Sequence, residues 1–208
     1  ENPIVDETRG EMRRLAKALG RGTLALVRAG SDALCIARAG ARQARADRTQ
    51  VGQRIPVMAP LASVFVAWAA PDEVEQWLVR GGAGPAEQER QREILALVRE
   101  RGYSVALDVP ARRRIGSLLG ELADDPHSDA LRARLLRAIE ELGRNAYQRR
   151  DVDGDVQTVS TITAPVFDRH GDVTAAVTVE VFDEAVDAAE VARIGDRLLD
   201  ATGSISRG

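Results

Sequence analysis

Apolar residues recur at helical spacing near the start of the chain: Met12, Leu15, Ala16 and Leu19 share one face of residues 8–19, and Gly20 and Gly22 close the run. That predicts a leading helix. Residues 23–27 and 33–37 read Thr-Leu-Ala-Leu-Val and Ala-Leu-Cys-Ile-Ala, and they flank a turn in which Gly30 and Asp32 supply the special backbone chemistry. A β-hairpin is expected there. Residues 40–50, rich in Ala, Arg and Gln without alternation, read as a loop entering a polar strand. Residues 60–70 read as a compact apolar helix, and Pro71 restarts a second one with Val74, Trp77 and Leu78 inside and Gly81 and Gly82 at its end. Residues 86–101 form a third, burying Ile94, Leu95, Leu97 and Val98, with Gly102 at the C-cap position and a strand over 103–108.

Between residues 109 and 147 the pattern becomes Ile115, Leu118, Leu119 and Leu122, then Leu131, Leu135, Ile139 and Leu142, which predicts an αα-hairpin. Ser128 or Asp129 can cap its second helix and Gly143 can close it. Residues 156–167 and 173–182 return to strand spacing around an Asp-Arg-His-Gly-Asp turn, and Val186, Ala189, Val191, Ile194 and Leu198 mark a final helix. The sum is an α+β domain built on an antiparallel sheet. Within the last strand, Val173, Ala175, Val177, Val179 and Val181 form the apolar face, so Glu180 belongs to the other. It must meet a cation, a hydrogen-bond donor or water.

Composition narrows the function. The chain has 208 residues, 44% hydrophobic and 29% charged, enough for one domain with a sizeable core. Aromatics are only 3%, so stacking platforms for single-stranded nucleic acid are scarce, and a net charge of −3 gives no attraction to a polyanion. Lys17 is the one lysine among 29 basic residues, a sign of codon bias. Cys35 is the sole cysteine, which excludes an internal disulfide and points to a reducing, cytoplasmic setting. The first residues are Glu-Asn-Pro without an initiator Met, as expected of a piece of a longer protein.

Catalytic signatures are missing. His127 and His170 lie far apart in loops without metal-ligand spacing, and no phosphate loop, nucleophile elbow or dinucleotide fingerprint occurs. Asp151, Asp153 and Asp155 alternate around Gly154, yet a calcium loop would need a closing glutamate where Ile162 stands. No catalysis, cofactor or metal is expected. Arg112, Arg113 and Arg114 read as the wet start of an amphipathic helix, and Cys35 as a small buried hydrophobe.

Two ordered motifs carry a resemblance. Val-Gly-Gln-Arg-Ile-Pro-Val-Met-Ala-Pro-Leu-Ala-Ser from Val51, and Thr-Ala-Pro-Val-Phe-Asp-Arg-His-Gly-Asp-Val-Thr-Ala-Ala-Val-Thr-Val from Thr163, resemble the effector-binding domain of the IclR family of bacterial transcription regulators. The resemblance covers about four-fifths of the chain, leaving out the αα-hairpin as an insertion of about residues 109–147. It implies a GAF-like antiparallel sheet flanked by helices over residues 1–208, with the family's N-terminal winged helix-turn-helix outside this chain. It also implies self-association as a dimer or tetramer, an unidentified small-molecule effector, and contact with DNA only through that other domain.

Position by position, the family's pocket falls on Ile55, Leu61, Ala62, Val159, Thr161, Thr178 and Glu180. A further acidic position counts to either Ala106 or Asp151, and Asp151 is preferred because it approaches the pocket strand. Period-two spacing groups Val159, Thr161 and Thr163 on one face, and Ala176, Thr178 and Glu180 on another. Two departures from the family stand out: Pro60-Leu61-Ala62-Ser63 is bulky where the family is small, and Glu180 is acidic where a small hydroxyl is usual. An anionic effector beside Glu180 would need a partner such as Arg54. The alternative is a filled pocket in a ligand-independent oligomerisation module, with the αα-hairpin as contact surface.

Overall fold

The computed structural model describes residues 3–40, 49–82, 84–144, 157–182 and 185–206. Its elements run α1 (Pro3–Leu19), β1 (Thr23–Ala29), β2 (Asp32–Ala39), β3 (Arg54–Pro56), α2 (Pro71–Arg80), α3 (Pro85–Arg101), β4 (Ser104–Leu107), α4 (Pro110–Asp124), α5 (Asp129–Arg144), β5 (Gln157–Phe167), β6 (Val173–Glu180), β7 (Ala185–Val186) and α6 (Ala188–Ser206). The strands lie in the order β3-β2-β1-β6-β5-β4, with β7 beside the start of β5, and every pairing is antiparallel. This is the α+β architecture that the spacing predicts.

Alternation divides the sheet into two apolar faces. Ala25, Ile162, Ala164, Val166, Ala175, Val177, Val179 and Val181 turn toward α1 and α6, where Met12, Leu15, Val191, Ile194 and Leu198 complete one core. Leu24, Leu26, Ala33 and Ala176 belong to a second core with Trp77, Leu78, Leu95 and Val98 of α2 and α3. The αα-hairpin forms a third, in which Ile115, Leu118, Leu135, Ile139 and Leu142 pack with Leu61 and Ala106. Ser128 caps α5, its Oγ accepting from the Leu131 amide at 3.4 Å.

Residues 60–70 depart from the predicted helix. Ala62 sits in the left-handed region at φ 57°, which no right-handed helix can pass through, and only a three-residue 3-10 turn over Ser63–Phe65 forms. Neighbours hold this turn in place. Trp77 Nε1 donates to the Leu61 carbonyl at 2.8 Å, the Ala59 amide donates to the Trp77 carbonyl at 3.0 Å, and Arg99 donates to the Ala67 carbonyl at 2.8 Å. Hydrogen bonds to α2 and α3 thus replace the helical ladder.

Candidate functional site

A cavity of about 90 Å³ lies between the sheet and the αα-hairpin. Cross-strand register builds its floor: Ser104 faces Thr163, Thr163 faces Thr178, Ala106 faces Thr161, and Thr161 faces Glu180. Threonines two residues apart on β5 therefore share a face with Thr178 on β6, and Thr163 and Thr178 exchange a hydroxyl hydrogen bond at 2.9 Å. Leu61, Ala62, Ile115 and Leu119 wall the cavity, and Arg112 lines it from the first turn of α4.

Glu180 stands on this same sheet face but does not line the cavity. Its side chain is 1% exposed, and Arg38 on β2 reaches over β1 to donate to Oε2 at 2.7 Å. The strand between them leaves room because Gly22 precedes it: a Cβ there would come within 2.3 Å of Oε2. Arg38 also donates to the Thr49 carbonyl. The partner that the sequence placed at Arg54 is thus Arg38, while Arg54 is exposed and pairs with Asp32 at 3.5 Å.

Of the eight expected pocket residues, Ile55, Leu61, Ala62, Thr161 and Thr178 line the cavity together. Glu180 stands beside it, and Asp151 lies outside the described residues. Val159 is a correction. It packs in the core beneath α1 and α6, on the opposite face from Thr161, because a bulge interrupts β5: Ala106 pairs with Thr161 and its neighbour Leu107 with Val159, so Ser160 is the extra residue. Ser160 Oγ donates to the Ala106 carbonyl at 3.0 Å and its carbonyl accepts the Val181 amide at 2.9 Å. Ala106, the discarded candidate for the acidic position, lines the cavity.

Sequence reasoning also missed Arg38, Arg112 and Ser104, and it grouped Thr163 with Thr161 without assigning it to the pocket. Arg38 and Ser104 could have been found only from strand order, which the spacing does not reveal. Arg112, Arg113 and Arg114 are not an undifferentiated wet face: Arg113 pairs with Asp108, Arg114 with Glu141, and the Arg112 guanidinium lies 5.8 Å from the centre of the Phe182 ring. Cys35 is 1% exposed, and burial pushes its thiol up to about 11, so it packs as a hydrophobe rather than reacting. Among the described residues no group of His, Cys, Asp and Glu could hold a metal ion, and no helix is long and apolar enough to cross a membrane.

Residues 126–207 match the family described as bacterial transcriptional regulator IclR C-terminal. That stretch, from α5 to α6, is similar to the IclR C-terminal domain. Solved structures agree in fold over nearly its whole length. An IclR-type transcriptional regulator from Alicyclobacillus acidocaldarius matches at TM-score 0.65 and 16% identity, covering 99% of this chain and 68% of that one. The C-terminal domain of the E. coli transcriptional regulator KdgR matches at TM-score 0.60 and 18% identity, covering 99% and 98%. The Thermotoga maritima IclR matches at TM-score 0.62 and 15% identity, covering 98% and 67%. No curated protein matches the chain. The matched stretch includes β5 and β6, whose Thr161, Thr163 and Thr178 line the cavity described above.

Proposed function

We propose that this domain senses a small-molecule effector and joins subunits in an IclR-type bacterial transcription regulator of the cytoplasm, without catalysis, and modulates DNA binding by a winged helix-turn-helix elsewhere in the protein. The observation that carries this reading is the polar floor of Thr161, Thr163 and Thr178 in a cavity walled by Leu61, Ile115 and Leu119, with Thr161 and Thr178 at positions the family resemblance assigns to its pocket. Buried hydroxyls in a cavity can exchange their mutual bond for bonds to a guest. Glu180 no longer argues against an anion, since Arg38 neutralises it and it stands outside the lining. Arg112 contributes a positive charge at the wall, so the favoured effector carries a carboxylate or hydroxyl groups. At about 90 Å³ the space suits a small effector.

Effector binding changes DNA affinity only if the two subunit arrangements bind the effector unequally. Operator binding by the full-length regulator, titrated with small hydroxy- and keto-carboxylates, tests this: at least one should shift affinity, and Arg112→Met should abolish that shift. A response that survives Arg112→Met would remove the anion reading, and no response to any such compound would remove sensing of this class.

One observation favours the second reading, a ligand-independent oligomerisation module. Leu61 is 5% exposed, packs with the αα-hairpin and narrows the cavity. Leu136, 48% exposed on α5, is then a contact to test, because its outward side chain can change without disturbing the fold. If Leu136→Asp leaves the solution mass unchanged, the hairpin is not the joining surface.

A further inference from the structure

A second cavity, of about 170 Å³, lies where the turn between α2 and α3 meets α5. Ala59 and Pro60 line it, just as the next two residues, Leu61 and Ala62, line the first. Its polar lining is unusual for an interior. Glu87 and Gln91, one helical turn apart on α3, are 8% and 3% exposed, on the stripe that continues through Leu95 and Val98. Gln91 Nε2 donates to Glu87 Oε1 at 2.7 Å, which fixes the amide so that Oε1 is its remaining acceptor. That oxygen is buried and has no hydrogen-bond partner. Glu87 also pairs with Arg90, whose side chain is 56% exposed and does not line the cavity. Glu140 on α5 adds a second carboxylate at the rim, where a Cβ on Gly82 would lie 3.7 Å from its Oε1.

Among the described lining residues, the polar side chains are the Gln91 amide and the Glu87 and Glu140 carboxylates, and none is a cation. A buried carbonyl oxygen without a donor is costly to leave so, and two carboxylates beside it favour positive charge. Ile139, Pro60 and Ala59 supply an apolar wall for a short carbon chain. We propose that this cavity is a binding site for a small primary ammonium compound, whose three N–H donors would meet Gln91 Oε1 and the Glu87 and Glu140 carboxylates. Gly143 keeps the cavity open from α5: a Cβ there would sit 3.7 Å from Glu87 Oε1 and 3.8 Å from Pro60 Cδ.

Titration of the 15N-labelled chain with propylammonium chloride tests the site, with sodium propionate and magnesium chloride as controls. Saturable shifts of the Gly81, Gly82, Gln91 and Gly143 amides are expected with propylammonium alone. Glu140→Gln, at an exposed position, should weaken binding about tenfold, the worth of one charge-assisted hydrogen bond. Gln91→Met, which keeps side-chain length and removes the acceptor, should weaken it at least as much. The proposal is overturned if propylammonium gives no saturable shift, if propionate or magnesium shifts the same amides as strongly, or if Glu140→Gln binds as tightly as the parent.

Discussion

A carboxylate kept almost wholly from water must be answered by a cation, and in this sheet the answer comes from two strands away. Arg38 and Glu180 are joined across β1 at 2.7 Å, with the arginine side chain 19% exposed and the glutamate 1%. Removing the charge from one side strands the other in a poorly solvated place, so Glu180→Gln should lower unfolding stability by about 2–4 kcal/mol, read as a lower urea midpoint. Gly22→Ala should act through the same pair, because the added Cβ competes with Oε2 for its position. The two changes should then be strongly non-additive, and a double variant whose loss equals the sum of the single losses would deny the coupling. Cys35 makes a simpler case. With its thiol pushed up to about 11 by burial, roughly one molecule in a thousand is thiolate at pH 8, so iodoacetamide should label the native chain far more slowly than the urea-unfolded one.

Elements were legible from spacing wherever one face of a helix or strand is buried and the other is wet. The αα-hairpin, the first hairpin and the last helix satisfy that condition, and their ends agree with the observed α4, α5, β1, β2 and α6 to within a few residues. Residues 60–70 do not satisfy it. Apolar on every side, they carry no period to read, and the bonds from Trp77 and Arg99 that shape them come from distant sequence. Val159 was misplaced for a related reason: the bulge at Ser160 is held by Ala106 and Val181, so nothing local to β5 announces it. Strand and helix ends also carry charge. The backbone amides of Asp172 and His170 hold Asp168 below the usual carboxylate range in the β5–β6 turn, and Arg193, followed by Arg21, does so for Glu190 at the start of α6. Groups with lowered folded values contribute stability above their unfolded pKa, about 4, and lose it as pH falls through the folded value. Melting temperature should therefore decline below about pH 4, and Asp168→Asn should flatten part of that decline; an unchanged acid limb would dismiss the turn as a contributor.

At the scale of the whole molecule, the sheet is covered unequally. Strands β1, β5 and β6 lie at its centre with helices on both faces, and Ala25, Ile162, Ala164, Ala176, Val177 and Val179 are fully buried. Strand β3, by contrast, is a three-residue edge whose only strand partner is β2. Opening the centre requires separating α1 and α6 from the sheet and the hairpin layer from the other side, which amounts to global unfolding. Opening β3 requires only the loss of a few edge bonds. Native-state hydrogen exchange should therefore rank the amides of Val177 and Val179 with the slowest, at the free energy of global unfolding, while Ile55 exchanges through local opening. The cavity's polar floor belongs to the slow set through Thr163 and Thr178, whereas Ile55 in its wall belongs to the fast one. An effector that closes the cavity should for that reason slow exchange in β3 far more than in β6. Equal protection of both strands would place the binding event elsewhere.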